Sequence, residues 1–274
     1  MSGQRENAGL SALTKDEFVV RECVTVEEFD ACVRLQREAF ELPDLELSPR
    51  RHLIVARSAG GWTLGAFDGA RMVGFVLTQV ALRETSGARG AEEEVIGYSH
   101  MMAVARDYQN RGVGARLKWA QRERALAEGR RFIRWTWNPM QSRNAHFNLN
   151  RLGVVVRRYA PNYYGTDYPS ATGELDTPPC IDSDRLSAEW HLDSGRVESR
   201  ARGEQPAPRG TPDASVQIPP DWSALLREDA PAARREQLRV RAEFEHTLAD
   251  GLVCSGFERD PTRPRYLFYK DVDE

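Results

Sequence analysis

The chain has 274 residues, of which 41% are hydrophobic and 29% charged, which is enough apolar material for one large core or two smaller ones. It carries 38 basic and 41 acidic side chains, and the net charge of -3 excludes a bulk attraction for DNA or anionic lipid. No apolar run approaches the ~20 residues of a membrane span, and the polar first ten residues lack the core of a secretion signal. We therefore expect a cytoplasmic protein that acts on neither nucleic acid nor membranes.

The cysteine pattern indicates neither a metal site nor a disulfide framework. The four cysteines are widely spaced, and no two of them form a C-x-x-C pair. They are Cys23, Cys32, Cys180 and Cys254. We expect reduced thiols and no bound metal.

The beginning of the chain predicts a disordered terminus, then a strand and a helix. Residues 1–17 are mostly polar or small, which is typical of disorder. The β-branched run at 18–24 predicts a strand, and Thr25 with Glu28 forms a capping box that begins a helix. We expect this helix to end near Pro43, before a loop.

The middle of the chain alternates between strand and helix patterns. Asp68-Gly69 is suited to a hairpin turn between strands at 62–67 and 72–80, and a Gly- and Glu-rich connection follows. A strand at 95–104, a short polar stretch with two glycines and a helix at about 113–128 come next. The later elements are a strand at 132–137, a helix near 145–152 and a strand at 154–156.

The last hundred residues predict a C-terminal α/β extension. We place the boundary at 170/171, where the Pro, Gly and Ser content rises, and interpret 199–215 as a flexible loop. A helix from Pro231 to about Leu248 and strands around 252–257 and 266–272 follow. The sequence of Gly251–Lys270 is weakly similar to the region near Gly153. This similarity would make the extension a degenerate half copy of the first unit. The sequence leaves open whether it caps a site, completes the sheet or forms a homodimer interface.

The polar stretch within residues 104–118 favours an anion-binding loop between a strand and a helix. Gly112 and Gly114 have no side chain to obstruct a ligand, so successive amide N–H groups can converge on phosphate oxygens. Residues 104–158 contain 13 Lys or Arg and only three Asp or Glu, so this nearly neutral chain concentrates positive charge here. The alternative is a turn before a solvated basic helix. The basic residues expected around the loop are Arg106, Arg111, Arg116, Lys118, Arg122 and Arg124.

The glycine spacing excludes two familiar loops and resembles a third signature. A dinucleotide-binding loop needs G-x-G-x-x-G and a P-loop needs G-x-x-x-x-G-K, and neither is present here. The segment Q-x-x-G-x-G at Gln109–Gly114, directly after a strand ending in Ala-Val, resembles the acyl-CoA-binding signature of the GNAT superfamily of N-acyltransferases. Asn144-Ala145 and Leu152-Gly153 look like the second half-motif, so the resemblance covers about residues 18–165.

The resemblance implies an α/β (α+β) fold with a mixed, mostly antiparallel central sheet that is flanked by helices and splayed at an acyl-CoA cleft. The strand end would pair with the pantetheine arm, the loop would wrap the pyrophosphate, and Asn144 would contact the pantetheine chain or cap a helix. The cofactor would be acetyl-CoA or another acyl-CoA, with succinyl-CoA among the candidates. The residues expected to bind it are Met102, Ala103, Val104, Gln109, Asn110, Arg111, Gly112, Val113, Gly114, Ala115 and Asn144.

Acyl transfer to an amine requires a neutral amine, a donor for the developing oxyanion and a proton for the departing thiolate. The resemblance implies direct attack without an acyl-enzyme and an oxyanion donor among the amides of residues 102–104. We predict that His100 is the base, because it stands four residues before Val104, on the same strand face by simple alternation. An ordinary imidazole pKa of ~6.5 suits this task, and a buried core histidine is the alternative.

The general acid is less clearly indicated. The tyrosine that the family usually carries four residues before the glycine of the second half-motif is replaced by Leu149. Tyr159, Tyr163 and Tyr164 are candidates to supply a phenol, although packing or substrate contact would also explain them. A thiolate is a good leaving group, so protonation by water is a further alternative.

Aromatic and polar residues around the second half-motif predict the acceptor pocket. We assign Trp137, Asn138, Arg143 and His146 to this pocket, with purely structural roles as the alternative. The pattern resembles a subgroup of long GNAT proteins, amino-acid N-acyltransferases associated with N-acylamino-acid racemases. An arginine such as Arg143 or Arg151 would then grip a carboxylate through two hydrogen bonds.

These patterns favour an acyl-CoA-dependent N-acyltransferase that acts on a small-molecule amine, plausibly an amino acid. The alternative is a CoA-binding regulatory or interaction module with weak catalysis, because Leu149 stands at the usual position of the acid. Nucleic-acid binding is disfavoured, since charge around one glycine loop fits a compact phosphorylated ligand better.

Overall fold

The computed structural model describes residues 18–40, 44–87, 90–166, 181–204 and 210–270. The expected disorder of residues 1–17, the end of the first helix near Pro43 and the state of Cys180 lie outside these ranges. Cys23, Cys32 and Cys254 are buried free thiols. No helix in the described ranges is long and apolar enough to cross a membrane.

A seven-stranded sheet forms the first part of the molecule, with the strand order β1-β2-β3-β4-β5-β7-β6. All its pairings are antiparallel except that of β4 with β5. This confirms the predicted mixed, mostly antiparallel sheet. Its elements are β1 (Val19–Glu22), α1 (Val26–Phe40), α2 (Arg50–Ser58), β2 (Trp62–Asp68), β3 (Arg71–Gly87), β4 (Gly90–Val104), α3 (Val113–Ala127), β5 (Phe132–Trp137), α4 (Ser142–Ala145, continuing as a π-helix at His146–Arg151), β6 (Tyr159–Ala160) and β7 (Arg185–His191).

The capping box begins α1 as the sequence predicts. The Glu28 carboxylate accepts hydrogen bonds from the N–H groups of Val24 at 2.7 Å and Thr25 at 3.0 Å, and the Glu28 N–H donates to Thr25 Oγ1 at 3.3 Å. Gly69 adopts a positive φ of 55° in the turn between β2 and β3, which confirms the predicted hairpin. The sequence analysis misses α2, which lies where a loop is expected.

Several predicted boundaries differ from the structure. The strands β3 and β4 extend across most of the predicted Gly- and Glu-rich connection and pair there in a long hairpin. The strand predicted at 154–156 contains only isolated bridges, from Val155 to Glu189 and from Val156 to Cys254. These residues are β-branched and buried, so their composition matches that of a strand although the chain pairs with two different partners.

The boundary predicted at 170/171 falls within the sequence that builds the main sheet. The strand β7 pairs with β5 from Trp137–Leu186 to Phe132–His191, and so completes the sheet from residues beyond the boundary. The loop predicted over 199–215 overlaps helix α5 (Gly195–Ala201) at one end and strand β8 (Ala214–Gln217) at the other. The polar composition of residues 199–215 predicts a loop, because it carries no information about the distant residues that order the two ends of this segment.

A three-stranded sheet of order β8-β10-β9 forms the C-terminal part. Its remaining elements are α6 (Trp222–Glu228), α7 (Ala230–Ala249), β9 (Val253–Glu258) and β10 (Arg265–Tyr269), and the last three agree with the predicted helix and strands. The amide groups of Val156 and Cys254 exchange hydrogen bonds of 2.8 and 3.1 Å, which connects this sheet to the first part.

Two apolar clusters cover the two faces of the main sheet. One contains Phe29 of α1 and Leu53 of α2, packed against Phe75 and Leu77 of β3. The other contains α3 and the C-terminal elements. The helices α1 and α2 therefore lie on one face, and α3 shares the opposite face with the C-terminal sheet.

A buried ion-pair cluster holds α7 against the segment that enters β7. Arg241 donates to both oxygens of Asp184 at 2.9 and 2.6 Å and to Asp182 at 2.7 Å, and the Tyr159 hydroxyl donates to Asp184 at 2.6 Å. Asp184 is 1% exposed, so its charge depends on these partners rather than on water.

We predict that Arg241→Ala destabilises the protein by about 3 kcal/mol, because it leaves a buried carboxylate without its cation. The measurement is the free energy of unfolding from urea titration followed by circular dichroism. Arg235→Ala is the matched control, because Arg235 is an exposed residue of the same helix. Equal stability of both variants would contradict the assigned role.

Candidate functional site

The strands β4 and β5 separate along most of their length. They pair only at Gly97–Ile133 and Tyr98–Arg134, after which β5 continues against β7 and β4 continues against β3. The N–H of Ala105 donates to Val73 of β3 at 2.9 Å. Because main-chain groups alternate along a strand, those of Met102 and Val104 point into the gap. The gap therefore offers an unpaired strand edge.

The loop after β4 ends at the N-terminus of α3 and presents free amide groups. Asn110 and Gly112 have positive φ angles of 64° and 84°, so two residues of the loop adopt the left-handed conformation before the helix begins. Within the described parts of the chain, none of the amide N–H groups of residues 110–115 has a hydrogen-bond acceptor. Six consecutive free donors at the positive end of a fifteen-residue helix favour a multiply charged anion.

Contacts on three sides hold this loop in place. Asp107 accepts two hydrogen bonds from Arg71, at 2.7 and 2.9 Å. The Arg106 N–H donates to the Glu38 carboxylate at 2.7 Å, and the Tyr108 hydroxyl donates to Asp68. The loop is thus fixed to α1 and to the β2–β3 turn, which reduces the entropy that ligand binding would otherwise cost.

Gln109 connects the loop to the gap. Its amide nitrogen donates to the Val104 carbonyl at 3.3 Å, and its amide oxygen accepts from Arg143 at 3.1 Å. The Val104 carbonyl is one of the groups that face the gap, so Gln109 closes the turn beside it. The predicted cofactor residues 102–104 and 109–115 therefore lie together on one strand end and one loop.

Asn144 lies on α4, where its side chain is exposed. The N-cap of this helix is Gln141 rather than Asn144, so the capping role considered for Asn144 is wrong. Its predicted contact with pantetheine stays a prediction.

Most of the basic residues expected around the loop are engaged elsewhere. Arg122 donates to the Leu192 carbonyl at 2.7 Å, and Arg124 pairs with Glu22 at 3.0 Å and Glu128 at 2.6 Å. Of this group, Arg111 remains exposed at the loop, with its guanidinium 5.1 Å from the Tyr108 ring centre. The amide groups, rather than a ring of arginines, thus dominate the loop.

Lys118 lies buried below the point where β4 and β5 part. Its ammonium nitrogen is 2.9 Å from Ser99 Oγ of β4, 2.9 Å from Gln121 Oε1 and 3.6 Å from the ring centre of Trp135 on β5. Burial without a carboxylate holds the pKa of Lys118 well below its usual range. Lys118 thus connects α3 to both strands at the apex of the gap.

His100 occupies a β-bulge in β4. Met101 pairs with Leu77 and Ser99 pairs with Thr78, so His100 is the extra residue with no partner on β3. The bulge changes the alternation of side chains, and His100 therefore faces α2 whereas Val104 packs on the α3 side. The prediction that both lie on the same strand face is wrong for this reason.

Neutral polar groups hold the His100 imidazole. Its Nε2 shares a hydrogen bond of 3.2 Å with Ser48 Oγ, and Gln36 fixes Ser48 through bonds of 2.8 and 3.0 Å to its main chain. The His52 ring lies edge-on at 5.4 Å between centres. Burial, followed by the nearby His52, lowers the pKa of His100 below its usual value, so the imidazole is a free base at neutral pH.

Three tyrosines lie beside His100, and we call this set with His52 and His100 the His–Tyr cluster. Its tyrosines are Tyr98, Tyr163 and Tyr164. The Tyr98 ring centre is 6.5 Å from that of His100, and burial together with the Tyr164 and Tyr163 phenols raises the pKa of Tyr98. The Tyr164 hydroxyl lies 3.3 Å from Thr136 Oγ1 on β5, so the cluster spans both sides of the gap.

The structure brings Tyr163 and Tyr164 to Tyr98, whose ring lies next to that of His100, but it places Tyr159 elsewhere. Tyr159 is 8% exposed, donates to Asp184 and packs on Phe244 of α7. Burial and Asp184 raise the pKa of Tyr159, so its phenol keeps its proton in a structural contact. These contacts separate Tyr159 from the predicted catalytic group.

The four residues assigned to the acceptor pocket do not lie in the His–Tyr cluster. Trp137 is 5% exposed, and its indole N–H donates to the Tyr266 hydroxyl at 3.4 Å. Asn138 accepts from the Met140 N–H at 2.9 Å and thereby shapes a turn. Arg143 and His146 lie on or next to α4, and their contacts are with the loop and the C-terminal part. Their predicted acceptor role stays a prediction.

Sequence reasoning missed Ser48, His52, Tyr98 and Thr136. Tyr98 had a detectable signal, because it stands two residues before His100 on the same predicted strand. Thr136 also stands on a predicted strand. Ser48 and His52 belong to α2 and the segment before it, which were predicted as a loop. Within the described residues, no group of three or more His, Cys, Asp or Glu side chains is arranged to hold a metal ion.

The sequence model of the acetyltransferase (GNAT) family matches residues 29–153, which include α1, β2 to β5 and the loop before α3. The match includes the motif at Gln109–Gly114, so residues 29–153 are similar to the GNAT acetyltransferase family. No curated protein sequence matches the chain.

Solved structures of low sequence identity are similar to the chain. The ribosomal-protein-S18-alanine N-acetyltransferase from Escherichia coli is 15% identical, with a TM-score of 0.48, over 64% of this chain and 94% of its own. A GNAT family acetyltransferase from Elizabethkingia anophelis with acetyl-CoA bound is 13% identical, with a TM-score of 0.46, over 65% and 99%. An acetyltransferase of the GNAT family from Streptococcus pneumoniae is 18% identical, with a TM-score of 0.44, over 63% and 98%.

We predict that Gly112→Ala lowers the free energy of unfolding by about 1–2 kcal/mol, because an alanine at φ 84° is strained although its Cβ would meet no described atom within 4 Å. Urea titration measures this change. Gly195→Ala is the control, since Gly195 has the same open surroundings without a positive φ. A harmless Gly112→Ala would show that the loop does not require the left-handed conformation.

Proposed function

We propose that this chain, whose residues 29–153 are similar to the GNAT acetyltransferase family, transfers an acyl group from a CoA thioester to the amine of a small molecule. One observation carries the proposal: six acceptor-free amides lie at the mouth of the gap between β4 and β5. A diphosphate on these amides would continue into a chain that follows the free strand edge.

The residues that would hold CoA follow from this placement. The amides of Asn110 to Ala115 would bind the pyrophosphate, and Arg111 would add a positive charge. The main-chain groups of Met102 and Val104 would hydrogen-bond the pantetheine amides, because they point into the gap. Asn144, exposed on α4, is our candidate for a further contact with the pantetheine chain.

His100 is the proposed base. Its lowered pKa leaves the imidazole unprotonated at neutral pH, so it can accept the proton of the attacking amine directly or through one water. The N–C bond forms as the C–S bond breaks, and the amine proton moves to His100. Within the described residues, no acidic side chain hydrogen-bonds His100. Burial is therefore the main cause of its lowered pKa.

A tyrosine of the His–Tyr cluster is the proposed proton donor for the thiolate. Tyr164 reaches Thr136 on the β5 side of the gap, and its ring contacts that of Tyr163 at 4.7 Å between centres. Leu149, at the family's usual acid position, is fully buried and carries no proton to donate. Water remains an alternative donor, because a thiolate leaves readily.

We extend the proposal to an amino acid as the acceptor and to acetyl-CoA or succinyl-CoA as the donor. The guanidinium of Arg185 lies 5.1 Å from the Tyr164 ring centre, at the edge of the His–Tyr cluster. A cation in this position would attract the carboxylate of an amino acid while its amine approaches His100. The position of Arg185 therefore favours amines that carry a carboxylate over polycationic amines.

The test of this function is thiol release from acetyl-CoA and succinyl-CoA with a panel of amino acids and neutral or polycationic amines. We expect release that depends on the amine and is fastest with an amino acid. Tight CoA binding without release would support the regulatory module instead. Absence of CoA binding would remove the proposal altogether.

We predict that His100→Gln lowers kcat by about 100-fold or more, because the amine loses its base. In the wild type, kcat/KM should stay constant around neutral pH. It should fall as the pH drops below the ordinary pKa of histidine, because His100, whose pKa is lowered, then becomes protonated. The matched control is His246→Gln, since His246 is an exposed histidine on α7. A pH profile that is unchanged in His100→Gln would refute the assignment.

A further inference from the structure

A cleft lies between α4 and the C-terminal part, next to the loop that precedes α3. Its volume is about 440 Å³, and its walls include Arg143 at the start of α4, Trp222 of α6, and Arg259 with Pro261 between β9 and β10. The family match ends at residue 153, so the C-terminal wall of this cleft lies outside the matched residues.

The cleft is directly connected to the candidate pyrophosphate loop. Arg143 donates to Gln109 of that loop at 3.1 Å and also lines the cleft. In CoA, the ribose that carries the 3′-phosphate is attached directly to the diphosphate. A diphosphate on the amides of residues 110–115 would therefore leave the 3′-phosphate one sugar away from that loop, and Arg143 joins the loop to the cleft.

Arginine side chains give the cleft the charge that a phosphate ester needs. In the described parts of the chain, the Arg259 guanidinium has no hydrogen-bond or ion-pair partner. His146 lies near both Arg259 and Arg151, and burial together with these two cations lowers the pKa of His146. Positive charge from Arg143, Arg151 and Arg259 thus accumulates on this side of α4.

The two acidic residues in the cleft wall are committed to local turns. Asp221 accepts from the Ala224 N–H at 2.8 Å. Asp260 accepts from the N–H groups of Thr262 and Arg263 at 2.8 and 2.9 Å and from the Thr262 hydroxyl at 2.8 Å. Their charges offset part of the positive potential, but within the described residues the contacts of both carboxylates are with their own turns rather than with the arginines of the cleft.

We infer that the C-terminal part completes the CoA site, and that Arg259 and Arg143 bind the 3′-phosphate of the nucleotide in this cleft. The inference rests on the proposed function and adds a binding residue from outside residues 29–153. Arg259 is suited to this contact because a guanidinium can donate two parallel hydrogen bonds to phosphate oxygens. The C-terminal part would thereby select full CoA over nucleotides without that phosphate.

The test compares CoA with dephospho-CoA, which differs only by the missing 3′-phosphate, using calorimetric titration of the full chain. We expect the wild type to bind CoA about tenfold more tightly, and Arg259→Ala to remove this preference while leaving the affinity for dephospho-CoA unchanged.

Arg263→Ala is the matched control, because Arg263 is exposed in the same loop and is not part of the cleft wall. It should keep the preference for CoA. Equal affinity of the wild type for both ligands, or a preference that survives Arg259→Ala, would overturn the inference and leave the proposed function intact. If the wild type binds neither ligand, the proposed function fails and the inference fails with it.

Discussion

The structure depends on the separation of two parallel strands that begin as neighbours. An unpaired strand edge inside a sheet is unfavourable, because its N–H and C=O groups lose their partners. Here β4 stays paired to β3 and β5 stays paired to β7, so each strand is stable without the other. Lys118 fills the apex with a polar contact to β4 and a cation–π contact to β5. The gap is therefore a built feature that can receive an extended ligand.

One irregularity in β4 links the gap to the candidate chemistry. The bulge at His100 turns the imidazole toward Ser48 and His52, on the face opposite α3. The pyrophosphate loop leads into α3, on the other face. A ligand that passes through the gap would thus reach from the loop on one face to the base on the other. This separation keeps the anion-binding charges away from the base, whose low pKa depends on burial.

The C-terminal residues are part of the same structure rather than an appended unit. The strand β7 comes from beyond the family match and pairs with β5, so the main sheet would be incomplete without it. The contacts of Arg241 with Asp182 and Asp184 and the bridge between Val156 and Cys254 tie the later elements to this sheet. The same elements supply the second wall of the cleft beside Gln109. The C-terminal part therefore contributes both to the main sheet and to the wall of the cleft.

The sequence by itself determined the features that depend on local geometry. The glycine spacing predicts the loop, and the capping box, the hairpin turn and the strand-to-helix order follow from neighbouring residues. Tertiary structure decided which face each side chain occupies. The bulge reverses the expected orientation of His100, and Lys118 turns into the core. Trp137 hydrogen-bonds Tyr266, 129 positions away, and Tyr159 hydrogen-bonds Asp184, 25 positions away. Such orientations arise from pairing and packing between distant segments, and composition and periodicity along the chain carry no record of those partners.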